Sequence, residues 1–401
     1  MSGRPMRVAF HTPLKPVDHP VPSGDRQVGR GLVDVFTRLG HAVVALDSDP
    51  AGLGCLALPE DLPRRRDGAI ARADRLIAAW RGGGRASEEG RDLGSPPDLW
   101  LTYHLWYKKP DWIGPRVARA LGIPYVVAEA SYAPKRAGGP WDIGHRATAE
   151  AVRAADLVLT LNPDDAACLA PLLVEPGRNV VLPPFLDIAP FAAAAEDRDR
   201  HRALVRTRFG WRDDVPILIV VAMMRAPDKT ASYALLGRAL ARLSDRDWHL
   251  LVVGDGAARG EVEAILAPLG QRVAWAGAVA PNVLPALYAC ADLYVWPAVN
   301  EAFGIGLMEA QASGVPVIAG RTRGVPAVVG DGESGLLPAL GDVETFAAAV
   351  RLVLDDAGLR ARLAAGASDR AARLHGLDAA TRNIGAALRG MLARRARERA
   401  A

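Results

Sequence analysis

Short apolar runs alternate with longer stretches of helical spacing along almost the whole chain, and this alternation constrains the fold most. In the first half, runs at 6–10, 41–46, 98–103, 123–128, 156–160 and 179–182 predict strands, with helices starting near Gly24, Arg64, Asp111, Ile143 and Pro163. In the second half, strands are predicted at 216–222, 248–253, 272–276, 292–296 and 315–319. This is the βαβ rhythm of a parallel sheet with helices on both faces, and it occurs twice. The chain is therefore expected to be α/β, with two Rossmann-like, doubly wound domains. A polar stretch without core pattern, Ala192 to Arg200, places the boundary within 184–212. The expected division is 1–190, 191–377 and a long Arg-rich amphipathic helix over 378–401, packing back on the first domain. Gly82-Gly83-Gly84 reads as a surface loop.

With 401 residues, half of them hydrophobic and 23% charged, the chain has the length and composition of a two-domain soluble protein. A net charge of +4 suits a phosphate-bearing ligand or an anionic membrane surface. It is too small to argue for nucleic acid, and no nucleic-acid motif accompanies it. Cys55, Cys168 and Cys290 have neither metal-ligand spacing nor the even number of a disulfide framework, so a reducing cytoplasm is expected. Arg7 interrupts the N-terminal apolar stretch and His11 ends it, which argues against a signal peptide. No run approaches the roughly 20 apolar residues of a membrane span.

The stretch from Asn300 to Ala310 carries the chemistry. It holds Glu301 and Glu309 with Gly304 and Gly306 between them, after the apolar run Ala291 to Pro297 and before a helix that Gly314 and Pro316 stop. A strand, a loop and a Gly-rich helix start make an anion site, because free N–H groups and the helix dipole favour negative charge there. Glu309 shares a helix face with Ile305, and its side chain leans back toward the helix start. Two carboxylates beside a phosphate site can bind sugar hydroxyls, so a nucleotide-sugar fits.

This segment resembles the Glu-x7-Glu signature of the family 4 retaining glycosyltransferases. The likeness extends to Val273–Gly277, to Leu287–Asp292 and to Ala310–Ala319, in the family's order, and is strongest from Pro216 to Gly335. The resemblance implies a GT-B fold, two Rossmann-like domains facing across a cleft. It assigns Glu301 to donor-sugar hydroxyls and Glu309 to the ribose, with Phe303, Gly304, Ile305 and Gly277 also on the donor. Pro227-Asp228-Lys229 matches the family's Pro-x-Lys, which puts Lys229 on the diphosphate. The family's Arg five residues earlier is Met224 here, and Arg225 stands one place late as its substitute. Pro22 to Arg26 resembles the glycine loop that faces donor phosphate and acceptor, with Gly24 opening the helix. Many relatives carry a His at the end of an N-domain strand. Ala130 stands at that place, His104 is the best substitute, and Glu129 and Ser131 follow.

Other patterns carry less. Gly254-Asp255-Gly256 imitates a dinucleotide fingerprint but lacks the acidic residue after the next strand, and reads as a structural turn near the nucleotide base. Asp47-Ser48-Asp49 has the form of a metal-binding Asp-x-Asp, yet the same form recurs at Asp197 and Asp245, so no metal is expected. Trp100, Tyr103, Trp106 and Tyr107, followed by Lys108 and Lys109, suit an acceptor surface and core packing equally. The expectation is thus a retaining, metal-independent, cofactor-free enzyme moving sugar from a nucleoside-diphosphate sugar to a glycan, lipid or small-molecule acceptor. The alternatives are a sugar-nucleotide-binding regulatory protein without turnover and a GT-B epimerase or phosphorylase relative. The basic C-terminal segment Arg389 to Arg399 adds a peripheral contact with the inner membrane face as a further expectation.

Overall fold

The computed structural model describes residues 4–20, 23–46, 58–88 and 91–400. Pro22, the Asp47-Ser48-Asp49 triplet and Cys55 lie outside the described residues. The chain divides into two units, Met1–Leu182 with Ala380–Ala401, and Pro183–Ala379.

The first unit runs β1 (Arg7–His11), α1 (Gly24–Arg38), β2 (Ala42–Leu46), α2 (Leu62–Trp80), β3 (Ala86–Glu88), β4 (Arg91–Gly94), β5 (Leu99–Leu105), α3 (Gly114–Leu121), β6 (Tyr125–Ala130), α4 (Asp142–Ala154), β7 (Leu157–Thr160), α5 (Pro163–Leu169) and β8 (Asn179–Val181). Its sheet has the order β2-β1-β5-β6-β7-β8 and every pair is parallel. The expected strands fall within two residues of those observed. The antiparallel β3–β4 hairpin was not anticipated, because Ala86–Glu88 and Arg91–Gly94 lack a strand's apolar alternation. Tertiary bonds hold it instead: Arg72 Nε donates to Glu88 at 2.7 Å, and the buried Trp80 indole donates to the Gly94 carbonyl at 3.0 Å.

Asp111 organises the carboxyl edge of this sheet. One of its carboxylate oxygens accepts from the backbone N–H groups of Ile113 and Gly114, both at 2.8 Å, so it caps α3. The other accepts from the hydroxyls of Thr102 at 2.5 Å and Tyr125 at 2.9 Å. His11 Nε2 stands 3.8 Å from the same carboxylate, and burial pushes its imidazole down to about 4 against the pull of Asp111.

The final helix, α15 (Leu377–Ala400), belongs to the first unit from Ala380 onward. Arg395 donates to the Asp156 carboxylate at 2.6 Å and to the Gly122 carbonyl at 3.2 Å; Arg394 reaches the Asp156 carbonyl and Arg399 that of Gly122. Three arginines that read as a free basic face thus lie against the unit. Among the described residues no helix is long and apolar enough to cross a membrane.

The second unit runs α6 (Ala189–Glu196), α7 (Arg198–Phe209), β9 (Ile217–Val221), α8 (Asp228–Ala241), β10 (His249–Val253), α9 (Arg259–Leu266), β11 (Val273–Gly277), α10 (Leu284–Ala289), β12 (Leu293–Trp296), α11 (Ile305–Ala312), β13 (Val317–Ala319), α12 (Val325–Val328), β14 (Gly335–Leu336), α13 (Val343–Asp355) and α14 (Ala357–Arg370). Its parallel sheet has the order β11-β10-β9-β12-β13-β14. The boundary after residue 190 moves to Leu182/Pro183, and the stretch 192–200 that reads as a linker is helical. Its alanines favour helix without core periodicity. Phe191 anchors α6 against the Tyr288 ring at 5.8 Å, and α7 is tied by Arg198 to the Ala291 carbonyl and by Arg202 to Asp292. Asp292 in turn accepts from the Ile217 N–H at 2.8 Å, where β9 begins.

His11 makes the first unit sensitive to acid. Its folded value of about 4 lies below the ordinary 6.5, so the unfolded chain binds the extra proton between these values and stability falls as pH drops through that window. The expected loss by pH 4 is about 3 kcal/mol, at about 1.4 kcal/mol per unit. Denaturant melts of the native chain and of His11→Gln between pH 7 and 4 test this. Parallel slopes in the two proteins would remove His11 as the cause.

Candidate functional site

In the second unit the loops after β9, β12 and β13 converge. Lys229, in the first turn of α8, pairs with Glu301, in the loop between β12 and α11. The same Glu301 oxygen accepts from the Trp296 indole at 3.2 Å, and the Lys229 ammonium lies 5.3 Å from the Trp296 ring centroid. Both side chains are about four-fifths buried, at 19% and 17% exposure, where charges interact more strongly than at the surface.

The loop that carries Glu301 is held in strained backbone. Ala298 (φ 58°) and Asn300 (φ 54°) are left-handed although neither is glycine, and such residues cluster where structure over-determines the chain. Asn300 donates to the Asp228 carboxylate at 2.9 Å and accepts from Arg323 at 3.1 Å. Arg323 is itself left-handed, at φ 40°. Beside it, Gly324 donates to the Ala302 carbonyl at 2.9 Å, and a Cβ at Gly324 would stand 2.1 Å from that oxygen. The turn after β13 thus braces the loop ahead of α11, backbone to backbone.

Gly304 (φ 77°) caps α11, whose first N–H groups have no partner within the helix. Beneath the first turn, Tyr288 donates its hydroxyl to the nearly buried Glu309 carboxylate at 2.9 Å. Burial and the Glu309 carboxylate push the Tyr288 phenol well up, so it remains a donor. A Cβ at Gly306 would stand 2.7 Å from the Tyr294 hydroxyl and 3.1 Å from that of Tyr288, so only glycine lets the turn lie so close to them. Lys229, Glu301, Phe303, Gly304, Ile305 and Glu309 are therefore gathered around one helix start.

Arg225 and Gly277 are not. Arg225 is exposed on the loop before α8 and takes no part in this network, while Met224 is buried. Met224 donates to the Asp255 carbonyl and accepts from the Ala258 N–H, both at 2.9 Å. A Cβ at Gly256 would meet the Met224 carbonyl at 2.2 Å, so Gly254-Asp255-Gly256 is a structural turn pressed on this segment. Gly277 (φ 68°) ends β11 and accepts from the Gly254 N–H at 2.9 Å, which makes it part of the same turn system.

In the first unit, Gly24 opens α1 behind Ser23, whose hydroxyl accepts from the Arg26 N–H at 3.3 Å and from Lys15 at 2.9 Å. His104 Nδ1 lies 3.0 Å from the Asp25 carboxylate in that helix's first turn. Ala130 is buried at 0% exposure, so a longer side chain there would enter the core, and the half-buried Glu129 holds the register step opposite His104. The aromatic crowd divides. Trp100 and Tyr103 are core, whereas Trp106, Tyr107 and Trp141 surround the Lys108 ammonium at 5.5, 5.8 and 5.1 Å. Among the described residues no group of three or more His, Cys, Asp or Glu is arranged to hold a metal.

The sequence missed Trp296, Asp228, Asn300, Arg323, Tyr288 and Asp25. Adjacency to Lys229, Glu301 and Gly24 was the available signal for Asp228, Asn300 and Asp25. Nothing in spacing marks the others.

Two parallel-sheet α/β units are the GT-B class of fold, and the second carries a cation–carboxylate pair at a Gly-capped helix start. The family description "Glycosyl transferases group 1" matches residues 215–356. The 2-deoxystreptamine glucosyltransferase of Streptomyces kanamyceticus is 33% identical over 63% of this chain and 67% of its own length. The D-inositol 3-phosphate glycosyltransferase of Salinispora arenicola is 33% identical over 67% of this chain. This chain belongs to the group 1 glycosyl transferases. It spans about three fifths of the length of that inositol phosphate relative, 62%. Among solved structures, sucrose-phosphate synthase from Thermosynechococcus elongatus superposes with a TM-score of 0.70 at 21% identity, covering 96% of this chain and 99% of that one. Anabaena HepE in complex with UDP-glucose gives 0.66 at 17% identity, covering 96% and 100%. These likenesses establish the fold.

Two glycines, Gly256 and Gly260, test the turn that positions Met224. Gly256→Ala forces a Cβ onto a backbone carbonyl at 2.2 Å, at φ 157°, and should cost about 1–3 kcal/mol. Gly260→Ala, in the first turn of α9 with nothing within 4 Å, should be neutral or stabilise by up to about 1 kcal/mol. Equal melting of the two variants would show that the turn is not pressed against residue 224.

Proposed function

We propose that this protein is a retaining, metal-independent glycosyltransferase. Its second unit binds a nucleoside-diphosphate sugar and its first unit binds the acceptor. The observation that carries this reading is the placement of Lys229 with Glu301 at the start of α11, above the Glu309–Tyr288 pair. Lys229 and the helix N–H groups supply positive charge to the diphosphate, and that charge grows in importance as the sugar leaves. Glu301 exchanges part of its bonding to Lys229 for sugar hydroxyls. Glu309, held by Tyr288, accepts from the ribose. The positive charge of these groups makes a divalent ion unnecessary. HepE, solved with UDP and with UDP-glucose, and the glycosyltransferase names of the relatives support a sugar-nucleotide donor. The D-inositol 3-phosphate and 2-deoxystreptamine in the names of two of those relatives favour a small hydroxylated acceptor here.

A thermal-shift series with UDP, GDP and ADP and their sugars identifies the donor. A nucleotide at 100 times its Kd should stabilise the chain by about 2.7 kcal/mol. No shift with any of them would defeat the reading.

Glu309→Ala should lower kcat/KM for the donor about 10- to 100-fold, since a hydrogen bond to a charged group contributes about 1.5–3 kcal/mol. Lys229→Ala should lower kcat about 10²- to 10³-fold, more than it raises donor KM. Activity should survive EDTA. Loss on chelation, with rescue by Mn²⁺ or Mg²⁺, would overturn the metal-independent mechanism.

A further inference from the structure

The loops that follow β5 and β6 carry a cluster of rings and cations that lies wholly within the first unit. β5 ends at Leu105, and Trp106 to Lys109 then turn back on themselves. The Lys109 N–H donates to the Trp106 carbonyl at 2.9 Å, and the Trp106 N–H to that of Lys109 at 3.3 Å, with Tyr107 and Lys108 at the tip. Gly144, in the first turn of α4, presses on this turn: a Cβ there would stand 1.9 Å from the Tyr107 carbonyl oxygen. Only glycine allows that approach. It sets Trp141, just ahead of α4, against Tyr107, with ring centroids 5.6 Å apart at 73°. Trp106 meets the same tyrosine at 5.0 Å and 67°. Three rings packed edge to face thus stand at the carboxyl edge of a parallel sheet, the edge at which ligands of such sheets bind.

Two cations are held on these rings. The Lys108 ammonium lies 5.5, 5.8 and 5.1 Å from the centroids of Trp106, Tyr107 and Trp141. The Arg136 guanidinium, from the loop after β6, lies 4.9 Å from that of Tyr107. All four distances are within the range of a cation–π attraction. Among the described residues neither cation has a carboxylate partner. Their neighbours differ: Asp142 holds Arg146 at 2.9 Å, and Asp74 holds Arg116 at 2.7 Å. A ring face attracts a cation without accepting its N–H groups, so Lys108 and Arg136 keep donors that a carboxylate would have taken. The Trp106 indole N–H is also buried with no hydrogen-bond partner among the described residues. So is Nε2 of His145, which is 4% exposed, follows Trp141 by one turn of α4 and stacks on Tyr132 at 4.5 Å. Buried polar groups are nearly all paired, so groups left over mark a place where a water or ligand completes the bonding.

We propose that this cluster binds a small hydroxylated ring that carries a phosphate. The phosphate takes the free donors of Lys108 and Arg136, and the C–H face of the ring lies on the aromatic side chains. The inference rests on the transferase reading above and narrows its acceptor, which becomes anionic as well as hydroxylated. Rings alone would suit a neutral sugar, and cations alone would suit any anion. Cations seated on the rings bring the two preferences within one small molecule's reach, and the planar guanidinium of Arg136 matches a phosphate with paired N–H groups. A lipid surface is the competing occupant, because Trp, Tyr and basic residues also gather at membrane interfaces. The packing favours the small molecule. Trp106, Tyr107, Lys108 and Trp141 are all half-buried against one another, whereas a surface that enters a bilayer presents its apolar side chains outward.

The test measures binding to the full chain by calorimetry, with glucose 6-phosphate and inositol 1-phosphate set against glucose, inositol and inorganic phosphate. UDP, GDP and ADP are titrated into the same samples. At least one phosphorylated ring should bind about tenfold or more tightly than both its parent ring and inorganic phosphate. Lys108→Gln and Arg136→Gln should each weaken that compound about tenfold, equivalent to about 1.4 kcal/mol, and leave the parent ring within about twofold. Trp141→Leu should weaken the ring and its phosphate alike. Arg136 is exposed, so Arg136→Gln carries the test if Trp141→Leu does not fold. Phosphorylated rings that bind no better than inorganic phosphate overturn the inference, and so does binding indifferent to both charge variants. Binding to phosphatidylglycerol vesicles that Lys108→Gln and Trp141→Leu abolish, without affinity for either soluble phosphate, assigns the cluster to a membrane and also overturns it. A nucleotide that binds while no phosphorylated ring does sinks this inference alone. A phosphorylated ring that binds with the predicted losses while no nucleotide does supports the site and counts against the transferase reading.

Discussion

Parallel strand pairing is the constraint on which the rest depends. Parallel neighbours cannot be joined by a tight turn, so each connection crosses over through a helix and returns the chain to the amino edge. Every loop that follows a strand then collects at the carboxyl edge, where ligands of such sheets bind. Lys229 follows β9 and Glu301 follows β12, 72 residues later, yet the two strands are hydrogen-bonded neighbours and their loops meet. In the first unit the same rule sets His104, near the end of β5, beside Glu129, near the end of β6, and beside the start of α1.

At both edges the chain leaves its strands through strained backbone. Ala298 and Asn300 follow β12 in left-handed geometry, as His104 and Glu129 do near the ends of β5 and β6. In each case polar contacts hold the conformation: Asn300 is bonded to Asp228 and Arg323, and His104 lies against Asp25. Rigidity at these points matters for electrostatic chemistry, because a charge stabilises a developing charge best when it need not reorganise. The chain's five lysines also bear on this. Where arginine otherwise carries the positive charge, the compact ammonium of Lys229 stands over the Trp296 ring and against Glu301.

Much of the fold was legible in the sequence. The central strands are largely buried apolar runs, so their positions follow from the local hydrophobic pattern. What escaped had no such signal. The β3–β4 hairpin is polar and held by Arg72 and Trp80; β14 is two residues long; and α6 and α7 are Ala- and Arg-rich, so they read as a linker until Phe191, Arg198 and Arg202 are seen to anchor them. In the site, Glu301, Glu309 and Lys229 were legible because their spacing around a strand and a helix start is local. Tyr288 and Trp296 were not, since each reaches its carboxylate only through packing. Arg225 was expected to assist Lys229; it is exposed on the loop after the buried Met224, outside the Lys229–Glu301 pair.

The sequence by itself determined the α/β class, its two parallel sheets and the residues that carry charge at the start of α11, because hydrophobic periodicity and glycine placement are local properties. Only the tertiary structure decided which distant groups meet: that Glu301 is shared by Lys229 and Trp296, that Glu309 is held by Tyr288, and that His104 lies against Asp25. Those pairings depend on strand order and on backbone turned left-handed at single residues. Neither is encoded in any short window of the chain, since strand order is settled by how whole helices and sheets bury one another.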